Sequence, residues 1–338
     1  MESSRALLVV ALGSQAKKDI ALSKSIRKIR PALALIFSAL LVLGLSACSS
    51  TGYGSDLQPK TSAFLAKSFK FGKYVAPYQT PVADAGATME AMIQLSGVGY
   101  TSEKQSKAIQ WLTTNTDLIN SSGLRGEYLF TAYALGFEST PSVAKALTDL
   151  KAAIDANGEI AETNNFSYAW VILGLAAAGE EKLSNLVAMN LVNKAEGTGG
   201  YKYSTGSPAV TETADVTGFA IIALKATEGF GSSQDEAGKT FTISKAKNWL
   251  TDYTIQENHW MGYGDLDVSG TAYGTMALHS IGVDTKEYVK WLQGRINPTD
   301  SGVVAPWSEP DSDLFSTLQS ILPLSNLSFI DILNHIKN

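Results

Sequence analysis

Two kinds of helical pattern alternate along most of this chain. In one kind the run is apolar or small on nearly every side, as in NFSYAWVILGLAAAG at 165–179. In the other, apolar residues recur three and four positions apart and polar residues occupy the remaining face, as in KEYVKWLQGR. A helix that is apolar all round is buried on all sides, whereas a one-faced helix covers a core. The alternation therefore predicts an inner layer of helices surrounded by an outer layer.

The alternation repeats six times. The inner runs start 38 to 52 residues apart, which is enough for two helices and a loop. Their starting residues are acidic or amide side chains: Asp84, Glu127, Asn165, Asp215, Asp267 and Asp313. The outer runs are SKAIQWLTTN, SVAKALTDLKAAI, LSNLVAMNLVNKA, SKAKNWLTDY, KEYVKWLQGR and LSFIDILNHIK. Because one outer helix separates successive inner helices, we expect the inner helices to be parallel, with their N-termini at one rim.

These repeats resemble a known fold. A Gly/aromatic loop, an inner helix of the Asp-x-[Ser/Thr]-x-x-Ala type and an outer helix ending in Trp-Leu look like the α6/α6 toroid. Terpenoid cyclases, protein prenyltransferase β subunits and the cobalamin carriers related to transcobalamin share this toroid. The resemblance covers roughly residues 70 to 336 and implies an all-α, double-layered barrel of six helical hairpins. It implies no single function, because the toroid hosts enzymes and binding proteins alike. We expect the toroid domain to occupy residues 66–338.

The first 47 residues have the pattern of an export signal. Four basic residues between 24 and 30 precede an apolar stretch at 31–44, which is shorter than the ~20 residues that span a bilayer. The following Leu-Ser-Ala-Cys at 45–48 resembles the lipobox of bacterial lipoproteins, in which the cysteine is acylated and the chain is cut before it. We therefore expect a leader and signal peptide at 1–47, lipidation of Cys48 and a flexible tether at 48–65. An uncleaved anchor and an ordinary cleavage after Ala47 are the alternatives.

Lipidation would place the protein on the extracytoplasmic face of a cell membrane. Removal of residues 1–47 leaves 20 Lys and Arg against 30 Asp and Glu, so an acidic surface disfavours nucleic acid as a partner. Cys48 is the only cysteine, and acylation leaves no free thiol. Disulfides, thiolate metal sites and cysteine nucleophiles are then excluded, as are the prenyltransferase zinc site and a complement-type thioester.

Catalytic motifs are incomplete. Class II terpene cyclases use an Asp-x-Asp-Asp motif, and the nearest match is Asp265-Leu266-Asp267-Val268, in which a valine replaces the last aspartate. Asp267 as a helix cap is the simpler interpretation. Ser142 and Lys145 have Ser-x-x-Lys spacing but stand where an outer helix starts and serine caps are common. A glycosidase or polysaccharide lyase remains open, because carboxylates are plentiful and their separation is not visible in sequence.

No metal and no cofactor is expected. The three histidines, His259, His279 and His335, occur singly, which favours structural roles over ligation. The Gly199-Gly200 pair lacks the Lys and Ser/Thr that follow a phosphate-binding loop.

Aromatic residues are frequent in the loops that lead to the inner helices. Rings in polar loops are typical of sites that stack on a flat ligand or a sugar, although some of them would only fill the barrel. We therefore expect aromatic residues and carboxylates together at the rim. The candidate ligand-binding residues are Asp84, Glu127, Tyr168, Trp170, Tyr201, Tyr203, Asp215, Trp260, Tyr263, Asp267, Trp307 and Asp313.

The leading hypothesis is a non-catalytic, lipid-anchored binding protein that holds a corrinoid, an isoprenoid or a glycan at this rim. Transcobalamin-like carriers grip their ligand between the toroid and a following small domain. Here the sequence ends at Asn338, directly after the sixth predicted outer helix, so a partner protein would have to supply the cover. The alternatives are a divergent cyclase or carbohydrate-active enzyme of the same fold, and a surface domain that docks another protein.

Overall fold

A computed structural model describes residues 57–77, 82–100, 103–204, 211–253, 255–262 and 265–338. Within these residues, six inner helices form a closed ring, because each contacts the next and the last contacts the first. They are α2 (Ala85–Gly97), α4 (Ser122–Leu135), α6 (Asn165–Ala177), α8 (Ala214–Ala226), α10 (Val268–Ser280) and α12 (Leu314–Leu324). The fold is the all-α toroid that the sequence pattern predicts.

Six further helices surround this ring. They are α1 (Leu57–Lys67), α3 (Glu103–Thr114), α5 (Pro141–Ala153), α7 (Glu181–Val192), α9 (Ser233–Asn248) and α11 (Lys286–Gly294). From α3 onward, each packs against the inner helix that precedes it, and α1 packs between α12 and α2. A small antiparallel sheet precedes α10 and consists of β1 (Ile255–Gln256), β2 (His259–Gly262) and β3 (Asp265–Asp267). None of the helices in the described segments has the length and apolar character needed to cross a bilayer.

The sixth outer position differs from the prediction. The run LSFIDILNHIK forms α13 (Phe329–Lys337), which contacts five inner helices instead of lying on the outside of the ring. Helix α1 occupies the sixth outer position, with Leu65 fully buried, so residues 57–65 belong to the folded domain and not to a tether. A one-faced pattern is the same for a helix that flanks a barrel and one that closes its end, which is why sequence did not separate them.

A recurring threonine fixes each loop onto the start of an inner helix. The Thr88 hydroxyl donates to the Asp84 carbonyl at 2.5 Å and accepts from the Val75 N–H at 2.9 Å. Equivalent pairs of bonds involve Thr271 with Asp267 and Trp260, and Thr317 with Asp313 and Val303. These bonds satisfy loop N–H groups that would otherwise be buried without a partner. They account for the Asp-x-x-x-Thr spacing within the repeat.

Small residues permit the closest contact in the ring. At Gly174 of α6, an added β-carbon would lie 2.2 Å from the carbonyl oxygen of Gly126 in α4. The backbones of the two helices are therefore in direct contact, and any side chain at either position would push them apart. Small residues at this position therefore allow the two inner helices to approach closely.

Candidate functional site

We call the end of the ring at which the inner helices begin the mouth. Asp84, Asp267 and Asp313 are the N-cap residues of α2, α10 and α12, and each accepts a hydrogen bond from a backbone N–H one turn later. Asp215 is the second residue of α8, and Asn165 is the first residue of α6. The structure thus places these five at the mouth, where carboxylates interact favourably with the positive ends of the helix dipoles.

Glu127 lies deeper than these five, because α4 begins at Ser122 and Glu127 is in its second turn. It approaches Glu90 of α2, another acidic side chain in a buried part of an inner helix. Only 4% of Glu127 and 7% of Glu90 is accessible to solvent. A β-carbon at Gly86 would lie 3.4 Å from a Glu127 oxygen and 3.5 Å from an Asp84 oxygen, so these two carboxylates border the same small space. Tyr273 of α10 donates a hydrogen bond to Glu90 at 2.8 Å.

Burial dominates the electrostatics of these two glutamates. It raises the pKa of Glu90 from 4.5 to about 7, with the charge of Asp84 adding to the rise and the Tyr273 hydrogen bond opposing it. Burial, followed by the charges of Glu90 and Asp84, raises the pKa of Glu127 well above its ordinary value. Both effects favour the neutral acid, because a charge in this low-dielectric position loses its hydration. Both carboxyl groups therefore bind a proton more tightly than an exposed glutamate does.

A second carboxylate pair lies at the mouth, on α8 and α10. Burial, and then the charge of Asp215, raises the pKa of Asp267 to about 6. Burial also raises the pKa of Asp215. Tyr273 is close enough to Glu90, Glu127 and Asp215 for all three charges to raise its pKa further, after burial itself. Its hydroxyl therefore stays protonated, and it lies within electrostatic reach of both acidic groups. We call Asp84, Glu90, Glu127, Asp215, Asp267 and Tyr273 the acidic cluster.

Aromatic side chains from the inner helices and α13 fill the centre of the ring. Phe329, the first residue of α13, contacts rings from four different inner helices. Its centroid lies 5.3 Å from that of Trp170, 5.8 Å from Phe219, 6.1 Å from Phe130 and 6.2 Å from Tyr273. Trp170 packs edge-on against Phe219 at 4.8 Å. The centre of the toroid is thus a packed aromatic core, and Trp170 belongs to it.

Phe166 connects this core to the surface of the mouth. Its ring lies 5.1 Å from Phe219 and 5.4 Å from Tyr273 on the inner side, and 6.2 Å from Tyr203 on the outer side. Tyr203 is 49% exposed, and its carbonyl accepts from the Asn165 N–H. Trp307, in the loop before α12, is 64% exposed. Exposed aromatic rings are thus present in two of the loops that lead to the mouth.

Three other predicted ligand contacts lie in packed positions. The Tyr201 hydroxyl donates to the Leu191 carbonyl, and the Trp260 indole donates to the Leu250 carbonyl, with both side chains fully buried. Tyr168 is buried beneath the ammonium group of Lys194. We assign these three residues to packing of the loops and the outer layer. Tyr263 and Cys48 lie outside the described residues.

Glu90, Phe166 and Tyr273 are functional candidates that sequence reasoning did not select. A signal for Glu90 was available, because a glutamate in the otherwise uncharged run ATMEAMIQL is as unusual as Glu127 in its own run. Polar residues at positions of this kind are rarely fully buried without a partner. Within the described segments, no three His, Cys, Asp or Glu side chains are arranged to hold a metal ion.

The sequence matches no known protein family and no curated protein. Solved structures do match its fold. The type II terpene cyclase MstE from Scytonema has a TM-score of 0.59 at 13% identity, covering 84% of this chain and 98% of its own. Haptocorrin in complex with Cbi has a TM-score of 0.54 at 12% identity, with 81% of this chain and 67% of its own covered.

An inactive variant of an α-1,6-mannanase from Salegentibacter, in complex with α-1,6-mannotriose, matches with a TM-score of 0.57 at 9% identity. The match covers 80% of this chain and 98% of the mannanase chain. At these identities the similarities show the α/α toroid fold alone. Within that fold the matched proteins include a cyclase, a ligand carrier and a glycan hydrolase.

Proposed function

We propose that this protein is a lipid-anchored, extracytoplasmic binding protein that holds a glycan on the mouth of its toroid. The observation that supports a mouth ligand most directly is the packed aromatic core. Phe329 and its neighbours occupy the centre of the ring, which a long isoprenoid would need. The remaining binding surface comprises the carboxylates of the mouth and the Phe166–Tyr203 ring pair.

The chemistry of this surface suits a sugar. Ionised carboxylates accept hydrogen bonds from sugar hydroxyl groups, and the exposed ring of Tyr203 offers a face for stacking. Several acidic side chains at one end favour neutral or amino sugars over acidic ones. A flat corrinoid would use the same rings but would leave the carboxylates of the mouth unused, so we rank it below a glycan.

Tyr203→Ala should weaken glycan binding about tenfold, because a stacked ring contributes about 0.5–1.5 kcal/mol beyond its buried area. Tyr203 is half exposed, so the substitution leaves the core unchanged. Isothermal titration of the full chain with mannotriose and with chitosan oligomers measures the effect. Phe241→Ala is the matched control, since Phe241 is 66% exposed on the outer helix α9.

Loss of binding in both variants, or no saturable binding of either glycan, would contradict the proposal. Saturable binding of cobalamin or geranylgeraniol instead of the glycans would also contradict it. Hydrolysis of either glycan that disappears in Glu127→Gln would identify an enzyme, in which the neutral Glu127 serves as the general acid.

Membrane attachment rests on the lipobox-like sequence that ends at Cys48. Cells that express the full chain should incorporate labelled palmitate into it, and the protein should sediment with membranes. Cys48→Ser should abolish both, because no other cysteine can be acylated. Attachment that persists in Cys48→Ser would indicate an uncleaved helical anchor.

A further inference from the structure

A cavity separate from the acidic cluster lies between the inner helix α4 and the outer helix α5. Its volume is about 310 Å³, at the lower end of the range for small-molecule sites. The loop at 116–120 forms one wall. The polar side chains on the helices and the loop that line it include Asp117, Arg125, Tyr128, Ser142, Lys145 and Asp149. We call this space the α4–α5 cavity.

Arg125 is the unusual member of this set. Within the described residues it forms no ion pair, and its Nε is buried without an acceptor. A buried donor left without a partner costs about 1–3 kcal/mol. The neighbouring Asp149 does not supply the missing acceptor: its carboxylate pairs with Lys145 at 2.6 Å, and Arg125 acts on it only through its charge. Arg125 therefore presents a half-buried, unpaired guanidinium to the α4–α5 cavity.

Two hydroxyl groups face the same space. Tyr128 Oη and Ser142 Oγ are 2.9 Å apart, and Thr140 Oγ1 lies 3.2 Å from Ser142 Oγ. Burial raises the pKa of Tyr128, so its hydroxyl remains protonated. Together with Arg125, these groups form a patch in which hydrogen-bond donors are available on one side of the cavity.

The Ser-x-x-Lys spacing of Ser142 and Lys145 does not make this a catalytic site. A lysine that activates a serine must be close to it and neutral. The Lys145 side chain is 71% exposed, and its ammonium group pairs with Asp149 instead of Ser142. The hydrogen bond from Lys145 lowers the pKa of Asp149, and the charges of Lys145 and then of Arg125 lower it further. The Lys145–Asp149 pair therefore stays ionised. Ser142 and Lys145 therefore do not form a catalytic pair, and the α4–α5 cavity has the features of a binding site.

We propose that the α4–α5 cavity binds a small molecule through an oxyanion, either a carboxylate or a phosphate. The planar guanidinium of Arg125 can donate two parallel hydrogen bonds to such a group, and the Ser142 hydroxyl can donate a third. Lys145 and Asp149 at the rim can accommodate a polar remainder of roughly monosaccharide size. This site is independent of the glycan proposed at the mouth.

Isothermal titration of the full chain tests this assignment with glucuronate, inorganic phosphate and glucose. We expect saturable binding of glucuronate, phosphate or both, and glucose at least about tenfold weaker, because it has the polyol without the oxyanion. Arg125→Gln should weaken anion binding by at least about tenfold. Lys151→Gln is the matched control: Lys151 is on α5 but pairs with Glu180 outside the cavity, and its removal should leave binding unchanged.

Thermal unfolding identifies a variant that fails to fold. If Arg125→Gln unfolds early, Ser142→Ala replaces it, since that change removes a donor and leaves no large void. Binding of glucuronate alone assigns a carboxylate, and binding of phosphate alone assigns a phosphate. Equal binding of glucose, no saturable binding of either anion, or full anion binding by a folded Arg125→Gln overturns the proposal. Tyr203→Ala should retain anion binding even if it has lost glycans, which separates the two sites.

Discussion

Glu90→Gln should increase the free energy of unfolding by about 3 kcal/mol near pH 8 and leave it nearly unchanged near pH 4. The folded chain raises the pKa of this carboxyl from 4.5 to about 7, mainly by burying it. Between these two values the folded state keeps a proton that the unfolded state has released. Stability therefore falls as the pH rises through this window, and the loss is complete above the folded-state value.

Glutamine removes this dependence because it cannot ionise. It keeps the size of the glutamate, and its carbonyl oxygen can still accept the Tyr273 hydroxyl that Glu90 now binds at 2.8 Å. The gain in the free energy of unfolding near pH 8 equals the extra cost of ionising Glu90 in the folded state. This cost is about 1.4 kcal/mol for each unit by which folding raises the pKa. The charge of Glu90 would also no longer raise the pKa of Glu127.

Urea unfolding at several pH values between about 4 and 8 measures the effect. The control is Glu138→Gln, an exposed glutamate at the start of the loop before α5, which should show no comparable change. A wild-type stability that does not decrease between about pH 5 and pH 8 would contradict the predicted protonation. Equal stabilisation by both substitutions would assign the gain to net charge and not to burial.

The predicted protonation matters for the mouth as well as for stability. With Glu90 neutral and Glu127 also shifted towards its acid form, less negative charge accumulates beneath Asp84, Asp215 and Asp267. These three can then remain partly exposed acceptors for a ligand while the deeper pair supplies protonated groups. Binding at the mouth should consequently depend on pH in the range where Asp267, with a pKa of about 6, changes charge.

The sequence predicted the ring because its evidence was local and repeated. All-round apolar runs identified α6 and α8, and the amide and acidic residues at their starts, Asn165 and Asp215, identified the ends that form the mouth. The roles of Trp260 and Tyr201 were not accessible in this way, because an aromatic ring in a loop looks the same whether it contacts a ligand or packs beneath the loop. Only the bonds of these rings to buried carbonyls distinguish the two cases.

The acidic cluster was also beyond local evidence. Glu90 and Glu127 are 37 positions apart in the chain, and Tyr273 is a further 146 positions away, so only the packing of their three helices in the ring brings them together. The position of α13 was likewise not visible in the local sequence pattern. Its apolar face matched that of an outer helix, and the alternative partner for the sixth position, α1, lay in a segment that the composition assigned to a tether.

Phe329→Ala should lower the free energy of unfolding by about 3–5 kcal/mol, the range for removing a buried aromatic ring. The site cannot easily collapse, because Phe329 touches four rings that are fixed on four different helices. Urea unfolding measures the loss, and Phe241→Ala, which removes an exposed phenylalanine from α9, should cost far less. A loss near that of the control would mean that α13 is not anchored in the ring.

The same substitution tests the proposal that ligands bind outside the ring. An apolar cavity left by a large side chain can remain empty and accept an apolar molecule such as benzene. Phe329→Ala should therefore bind benzene or a short isoprenol that the wild-type chain does not bind, while its glycan binding at the mouth stays within about twofold of the wild type. Wild-type binding of the isoprenol at equal strength would show that the aromatic core opens without mutation, and the assignment of the ligand to the mouth would then fail.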